Sequence, residues 1–253
     1  MMSLSDQSAM QHQYATSARL ETRISIHEKY SRNQQPFAAW IRSHYALQPG
    51  EHILELGCGT GSMWQGMRLP DGCRLTLTDF SAGMLDTARA NTAHLQADYA
   101  VVDAQDIPYP DAVFDVVIAN MMLYHVPDNA RALREIRRVL KPGGRFIAAT
   151  FGEHGVVQAV ADMLGMRFDA NMRFTLQNGG AQLRTVFTQV ERRDREDALD
   201  VTDLTDLIAY LRSMQQMTAL ADVPDERLLA AFAPHVRQGV LSLPKEYGLF
   251  ICG

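Results

Sequence analysis

Seven residues, Glu55-Leu56-Gly57-Cys58-Gly59-Thr60-Gly61, constrain this chain more than any other stretch. They follow the apolar run His52-Ile53-Leu54 and precede Ser62-Met63-Trp64. An acidic residue at a strand end, then glycines at alternate positions, gives a loop with no side chain at three points. A ligand can approach such a backbone closely, and a helix can start directly beneath it. The spacing Glu-x-Gly-x-Gly-x-Gly differs from the Gly-x-Gly-x-x-Gly of dinucleotide-binding domains. It points to a nucleoside ligand without a pyrophosphate, with S-adenosylmethionine (SAM) as the leading candidate.

The segments around this loop alternate between strand and helix. Ile53–Leu56 reads as a first strand and Arg74–Thr78 as a second, ending at Asp79. Ser81 suits the N-cap of a helix from Ala82 to Asn91. A weaker third strand covers Tyr99–Val102 and ends at Asp103. Phe114–Ala119 is nearly all apolar, as a parallel strand buried on both faces requires. Asn129–Leu140 reads as a helix with Leu133, Ile136, Val139 and Leu140 on its buried stripe. Lys141-Pro142-Gly143-Gly144 then turns into a fifth strand, Arg145–Thr150. This order predicts an α/β fold with a mostly parallel sheet covered by helices on both faces.

The rhythm changes after Phe151. Val156–Phe168, Ala181–Phe187, Thr202–Met214 and Pro224–Arg237 read as helices, and Val190–Arg195 and Tyr247–Cys252 as strands. Upstream, Ser17–His44 has a helical pattern broken near Asn33–Pro36, and residues 1–17 have the polar composition of a loosely ordered tail. The expected division is an N-terminal helical segment, 1–46, and a main domain, 47–253, with helical insertions at 153–185 and 198–237.

Ligands on open parallel sheets bind outside the carboxyl ends of the strands. Glu55, Asp79 and Asp103 are acidic groups at three such ends. Asp79 suits a bidentate hydrogen bond to ribose hydroxyls. Asp103 suits the exocyclic amine of adenine, and the Ala104 N–H a ring nitrogen. Phe80 and Met84 can flank the adenine faces. Each feature has a plainer reading alone: a tight turn for the glycines, a helix cap for Asp79, a turn residue for Asp103. Asp115, early in its strand, reads as structural.

Glu55–Gly61, Asp79, Asp103-Ala104, Asp115–Asn120 and Leu140–Gly144, taken in order, resemble class I SAM-dependent methyltransferases. The match is closest to the small-molecule branch that includes ubiquinone and menaquinone methyltransferase-like enzymes. It is strong over roughly residues 50–152 and looser at the ends. The resemblance implies a Rossmann-like sheet of seven strands whose last, Tyr247–Cys252, is antiparallel. It implies SAM as cofactor, S-adenosylhomocysteine as product and a small-molecule methyl acceptor. Glu55, Gly57, Cys58, Gly59, Gly61, Asp79, Phe80, Met84, Asp103 and Ala104 become cofactor-binding residues. Asn120 and its neighbours are placed on the methionyl part.

The same resemblance sets Tyr124 and His125, after the fourth strand, on the substrate side. His125 reads either as a base for a hydroxyl or acidic carbon, or as a loop-holding residue. Tyr124 can orient the acceptor. In this family N-terminal helices close over SAM, which implies a lid for 1–46 and a substrate side for the insertions at 153–185 and 198–237. Tyr30 and Arg32 then read as contacts to the methionyl carboxylate or substrate, or as solvated helix residues. Trp40 reads as core, and Trp64 as core or site.

Composition removes rival classes. The formal charge of −5 weighs against a nucleic-acid substrate, because such binding rests on neutralised phosphates. Arg131, Arg134, Arg137 and Arg138 read as a solvated helix face. The Asn/Asp-Pro-Pro-Tyr/Phe signature of many DNA and protein N-methyltransferases is absent, since Met-Met-Leu-Tyr follows Asn120. Three scattered cysteines fit neither a disulfide framework nor a zinc site, and no metal is expected. Without a signal-like start or a membrane-length apolar run, cytoplasmic residence as a monomer or homodimer is the expectation. An RNA or protein methyltransferase on the same core, or a non-catalytic SAM-binding regulator, remains the alternative.

Overall fold

A computed structural model describes residues 25–166, 172–214, 220 and 223–253. The expected tail at 1–17, the first part of the 17–44 helix and the end of the 156–168 helix lie outside these residues. The described chain divides into two compact units. One comprises Phe37–Thr150, Arg173–Arg193 and Gly248–Gly253. The other comprises the described residues through Pro36, Phe151–Met172 and Asp194–Tyr247.

The first unit carries the sheet. Its elements are α1 (Phe37–Arg42), β1 (His52–Leu56), β2 (Arg74–Asp79), α2 (Ala82–Asn91), β3 (Ala97–Val101), β4 (Phe114–Asn120) and α3 (Asn129–Val139). Most of β5 (Leu140–Phe151), the short α5 (Gly179–Leu183), the start of β6 (Val190–Val201) and the end of β7 (Leu241–Cys252) complete it. The strand order is β3-β2-β1-β4-β5-β7-β6. Pairs β1–β2, β1–β4, β2–β3 and β4–β5 are parallel. At the far edge Gln189 and Gly253 exchange N–H···O bonds of 2.9 and 3.0 Å, the reciprocal pattern of antiparallel neighbours. The sheet is therefore mixed and mostly parallel, as expected. Order reverses at β1 and β4, which makes their carboxyl ends the switch point where neighbouring crossovers diverge.

Local sequence accounts for most boundaries. Ser81 caps α2 by accepting from Met84 N–H, and Asp128 caps α3 by accepting from Arg131 N–H. Val116, Val117, Ile118 and Ala119 are fully buried, as a central parallel strand demands. Ile41, Ile53, Leu75, Leu77, Ile118, Ile147 and Leu249 build the core beneath, with Trp40 partly buried against it.

Several boundaries differ from the sequence reading. β3 ends at Val101, not Val102, because the Asp103 side chain accepts from Gln105 N–H at 2.9 Å and draws the chain into a turn. The α3 helix ends at Val139, and β5 already begins at Leu140, with its register against β4 shifted between Phe114 and Val116. α5 begins two residues earlier than expected and stops at Leu183. A Cβ on Gly179 would come within 2.8 Å of the Phe174 ring, so the helix can start on that ring only with glycine there.

The second unit holds a helix over residues 25–30, α4 (Val156–Met163), α6 (Leu204–Ser213), α7 (Asp225–Phe232) and the outer stretches of β6 and β7. α4 ends before Phe168 because Gly165 takes φ +62°, the left-handed conformation that stops helices. Ile26, Val160, Leu199, Leu207, Leu211, Leu228, Phe232 and Leu243 form its core. β6 and β7 run well past the predicted strands, to Val201 and back to Leu241. Charged residues hide this from the sequence. Arg195 and Lys245 both pair with Asp197, and all three side chains are buried. Asn33 N–H adds a 2.9 Å bond to the same carboxylate. Charges paired and hydrogen-bonded in this way can lie within a strand that looks too polar to be buried.

Candidate cofactor site at the β1 and β4 strand ends

The glycine loop is held from both sides. Cys58 N–H donates to Thr78 O at 2.8 Å, and Thr78 Oγ1 donates to Glu55 O at 2.7 Å. Asp79 Oδ2 accepts from Gly59 N–H at 2.9 Å, and Asp79 Oδ1 accepts from Ser81 N–H at 2.8 Å. The β2 carboxylate is thus tied to the loop that follows β1. Burial holds the Asp79 carboxyl above its ordinary value, against the lowering effect of these N–H donors.

The three glycines serve different ends. All have positive φ, +67°, +56° and +71° for Gly57, Gly59 and Gly61. A Cβ on Gly57 would lie 2.7 Å from Met122 Cβ, and one on Gly61 3.0 Å from Thr92 Cγ2. A Cβ on Gly59 would meet nothing within 4 Å. Gly57 and Gly61 are therefore required by the protein itself, whereas Gly59 opens onto space. Gly57→Ala is expected to cost about 2 kcal/mol of stability from overpacking and left-handed strain. Gly59→Ala should cost about half that from strain alone, yet lose more ligand affinity. Paired chemical denaturation and ligand titration read both, and equal stability losses with equal affinities would refute the distinction.

Glu55 is fully buried. Its Oε2 accepts from Trp64 Nε1 at 2.5 Å, and its Oε1 accepts from Asn120 Nδ2 at 2.7 Å. Asn120 Nδ2 also donates to Tyr45 Oη at 2.7 Å. Burial lifts the Glu55 carboxyl to about 7, opposed by the Trp64 and Asn120 donors. Both Glu55 oxygens are thus engaged by the protein. Asn120 Oδ1 is buried and has no hydrogen-bond partner among the described residues. The next residue, Met121, has φ +54°, rare for a side chain of that size, and donates its N–H to Ala149 O.

Phe80 is one of the exposed large apolar side chains, at 37%. Met84 is half-buried in the first turn of α2. Asp103 is committed to Gln105, whose Oε1 in turn accepts from Asp128 N–H at 3.0 Å, and Ala104 is buried. Tyr124 and His125 lie in a 3-10 turn after β4. Both are buried, with ring centroids 4.4 Å apart. Cys58 is a buried packing residue whose thiol burial pushes up strongly. Asp115 accepts from His52 N–H and Lys141 Nζ, the structural part its position suggested.

The structure thus gathers the glycine loop, Asp79 and Asn120 through direct hydrogen bonds. Tyr30 and Arg32 belong to the second unit and are engaged there. Tyr30 Oη donates to Asp206 at 2.6 Å, and Arg32 forms a fork with Asp200 at 2.8 and 2.7 Å. Of the arginines on α3, Arg138 is no solvated charge: it binds Glu135, Asp111 and the Tyr109 and Ile107 carbonyls. Trp64, read from sequence as core or site, is buried and donates to Glu55, while Tyr45 escaped the sequence reading because it carries no local signal. Among the described residues no cluster of side chains forms a metal site, and no helix is long and apolar enough to cross a membrane.

Residues 54–148 match the family described as a methyltransferase domain. The match runs from β1 through most of β5, the part of the sheet whose strand order is that of a Rossmann-like fold. The demethylmenaquinone methyltransferase of Symbiobacterium thermophilum is 36% identical over 137 residues, 48% of this chain and 54% of that protein. The 27-O-demethylrifamycin SV methyltransferase of Amycolatopsis mediterranei is 36% identical over 111 residues, 42% of this chain and 40% of that one. The chain spans about half the length of the curated relatives it matches. A solved Haemonchus contortus phosphoethanolamine N-methyltransferase shares the fold at TM-score 0.60 and 17% identity, over all of this chain and 60% of that one. So does the cyclase SpnF, at TM-score 0.59 and 21% identity, over 99% and 96%.

Proposed function

We propose that this protein transfers a methyl group from S-adenosylmethionine to an O, N or C atom of a small-molecule acceptor, releasing S-adenosylhomocysteine. The observation that carries this reading is the open Gly59 backbone tied to Asp79 at the β1 and β2 ends, inside a segment that matches a methyltransferase domain. The residues fit the cofactor on two counts. Gly59 leaves space where a side chain would intrude, and Asn120 Oδ1 is a buried acceptor with no partner among the described residues. Asp79 would take the ribose hydroxyls with the acceptor capacity that its backbone N–H donors leave free. Phe80 and Met84 would flank adenine, and Asp103, sharing its oxygens with Gln105, would meet its edge with the Ala104 N–H. Asn120 would take the methionyl end, and Glu55 would act through Asn120 rather than touch the cofactor.

Bound there, the cofactor supplies a methyl group already activated on a sulfonium. The chain has to align the acceptor with it and exclude water. Tyr124 would orient the acceptor, and His125 would receive its proton where the acceptor must lose one. His125→Ala should lower turnover at least tenfold while leaving SAM affinity within threefold. Unchanged turnover on the true acceptor would return His125 to a loop-holding part.

Methyl-labelled SAM, incubated with the protein and an extract of the source cells, tests the function. Label in small molecules, lost with Asp79→Ala, supports the reading. Label in RNA or protein overturns the acceptor class. Binding of SAM without transfer to any fraction favours a regulator.

A further inference from the structure

We propose that Glu55 is a positioning residue that fixes which face of the Asn120 amide is presented at the end of β4. The site thereby selects a hydrogen-bond donor, the ammonium of an amino-acid tail. This rests on the SAM-binding reading above.

Glu55 sits between two donors. The Trp64 indole has one polar atom and can only donate, so the oxygen facing it must accept. The other oxygen faces Asn120 Nδ2 at 2.7 Å. An ionised carboxylate accepts from both without placing an O–H against either donor. The second hydrogen of Nδ2 goes to Tyr45 Oη at 2.7 Å. Both amide hydrogens are then used, and Oδ1 is the face left over, buried and without a partner among the described residues. Register places Asn120 one residue beyond the Leu56–Ala119 pair, opposite the first glycine of the loop. A buried acceptor at that point is costly unless a ligand brings a donor.

A protonated Glu55 reverses the arrangement. One oxygen still serves Trp64, so the hydroxyl hydrogen faces Asn120 and meets another donor. The amide then turns over, with Oδ1 toward Glu55 and Nδ2 toward the ligand, where it repels an ammonium. Glutamine at this position has the same defect at every pH. The Glu55 transition near 7 falls within reach of an ordinary titration. The other ionisable groups facing this cluster are the Tyr45 hydroxyl and the Cys58 thiol, both raised by burial, and the Asp79 carboxylate, while Arg42 acts on Tyr45.

The test is calorimetric binding of two probes to the full chain. S-adenosylhomocysteine carries the amino-acid tail, and 5′-methylthioadenosine is the corresponding nucleoside thioether without it. Asp79 meets the ribose of both, so its titration cancels in their affinity ratio. From about pH 6 to about pH 8 the wild-type preference for S-adenosylhomocysteine should grow about tenfold as Glu55 ionises. E55Q should bind S-adenosylhomocysteine about tenfold more weakly at pH 8 and methylthioadenosine unchanged. N120A should hold a pH-independent ratio. A wild-type ratio that stays flat overturns the proposal, whether or not E55Q folds. So does an E55Q variant that weakens both probes alike, which marks Glu55 as a mere support of the loop. Failure of the wild type to bind either probe would bring down the SAM reading itself, and this inference with it.

Discussion

Asp79→Ala is expected to weaken S-adenosylhomocysteine binding about 100-fold while the protein still unfolds in one cooperative transition. A carboxylate that accepts two ribose hydroxyls contributes about 1.5 kcal/mol or more per charge-assisted bond, about 3 kcal/mol in total. The same carboxylate also accepts from the Gly59 and Ser81 N–H groups, at 2.9 and 2.8 Å. Its removal should therefore cost about 1–2 kcal/mol of stability as well, through a loosened loop. The two losses separate experimentally. Calorimetry reads the affinity, and a thermal melt reads the stability. A folded variant that binds within threefold of wild type would remove Asp79 from the ligand site.

The second large effect is the Glu55 contribution to the stability of the ligand-free protein, which falls as pH rises. Burial raises the Glu55 carboxyl from 4.5 to about 7. A raised acid favours folding while it is protonated. Its contribution is complete below about 4.5 and is lost as pH climbs through about 7. That interval corresponds to about 3 kcal/mol at most. Burial holds the His27 imidazole down at about 3, which gives the opposite slope, a rise in stability as pH climbs through about 6.5. Denaturant midpoints from about pH 5 to about pH 8 should therefore rise in E55Q and lose most of that rise, or decline, in the wild type. An equal slope in both would remove Glu55 from the pH dependence. The ionised state that weakens the fold is also the one that presents Asn120 Oδ1 outward. A site that sacrifices stability for ligand recognition is the expected direction of that trade.

The sequence made β1, β2, β4 and the Ser81 cap legible because each rests on local chemistry, and the Asp128 cap rests on the same chemistry. Apolar runs mark buried parallel strands, and Ser81 and Asp128 satisfy N–H groups a few residues away. Glu55, the glycines and Asp79 were legible for a related reason. They follow directly from strand ends, and a positive φ selects glycine whatever surrounds it.

Other features depended on residues far apart in the chain. The sequence could not show that Gly57 is demanded by Met122 while Gly59 faces open space, since only tertiary neighbours make that difference. Nor could it show that Glu55 spends both oxygens on Trp64 and Asn120, or that Tyr45 closes the network from 75 residues away. Asp197 and Lys245 fell outside the strands read from sequence, and their pairing, shared with Arg195, buries them within the longer β6 and β7. The chain's own order of residues determined the sheet, its switch point and the loop that marks the site. Tertiary structure alone decided which polar atoms of the described residues are satisfied and which buried acceptor is left over. Hydrogen-bond satisfaction in a buried cluster depends on every group that reaches it, and sequence distance does not record that.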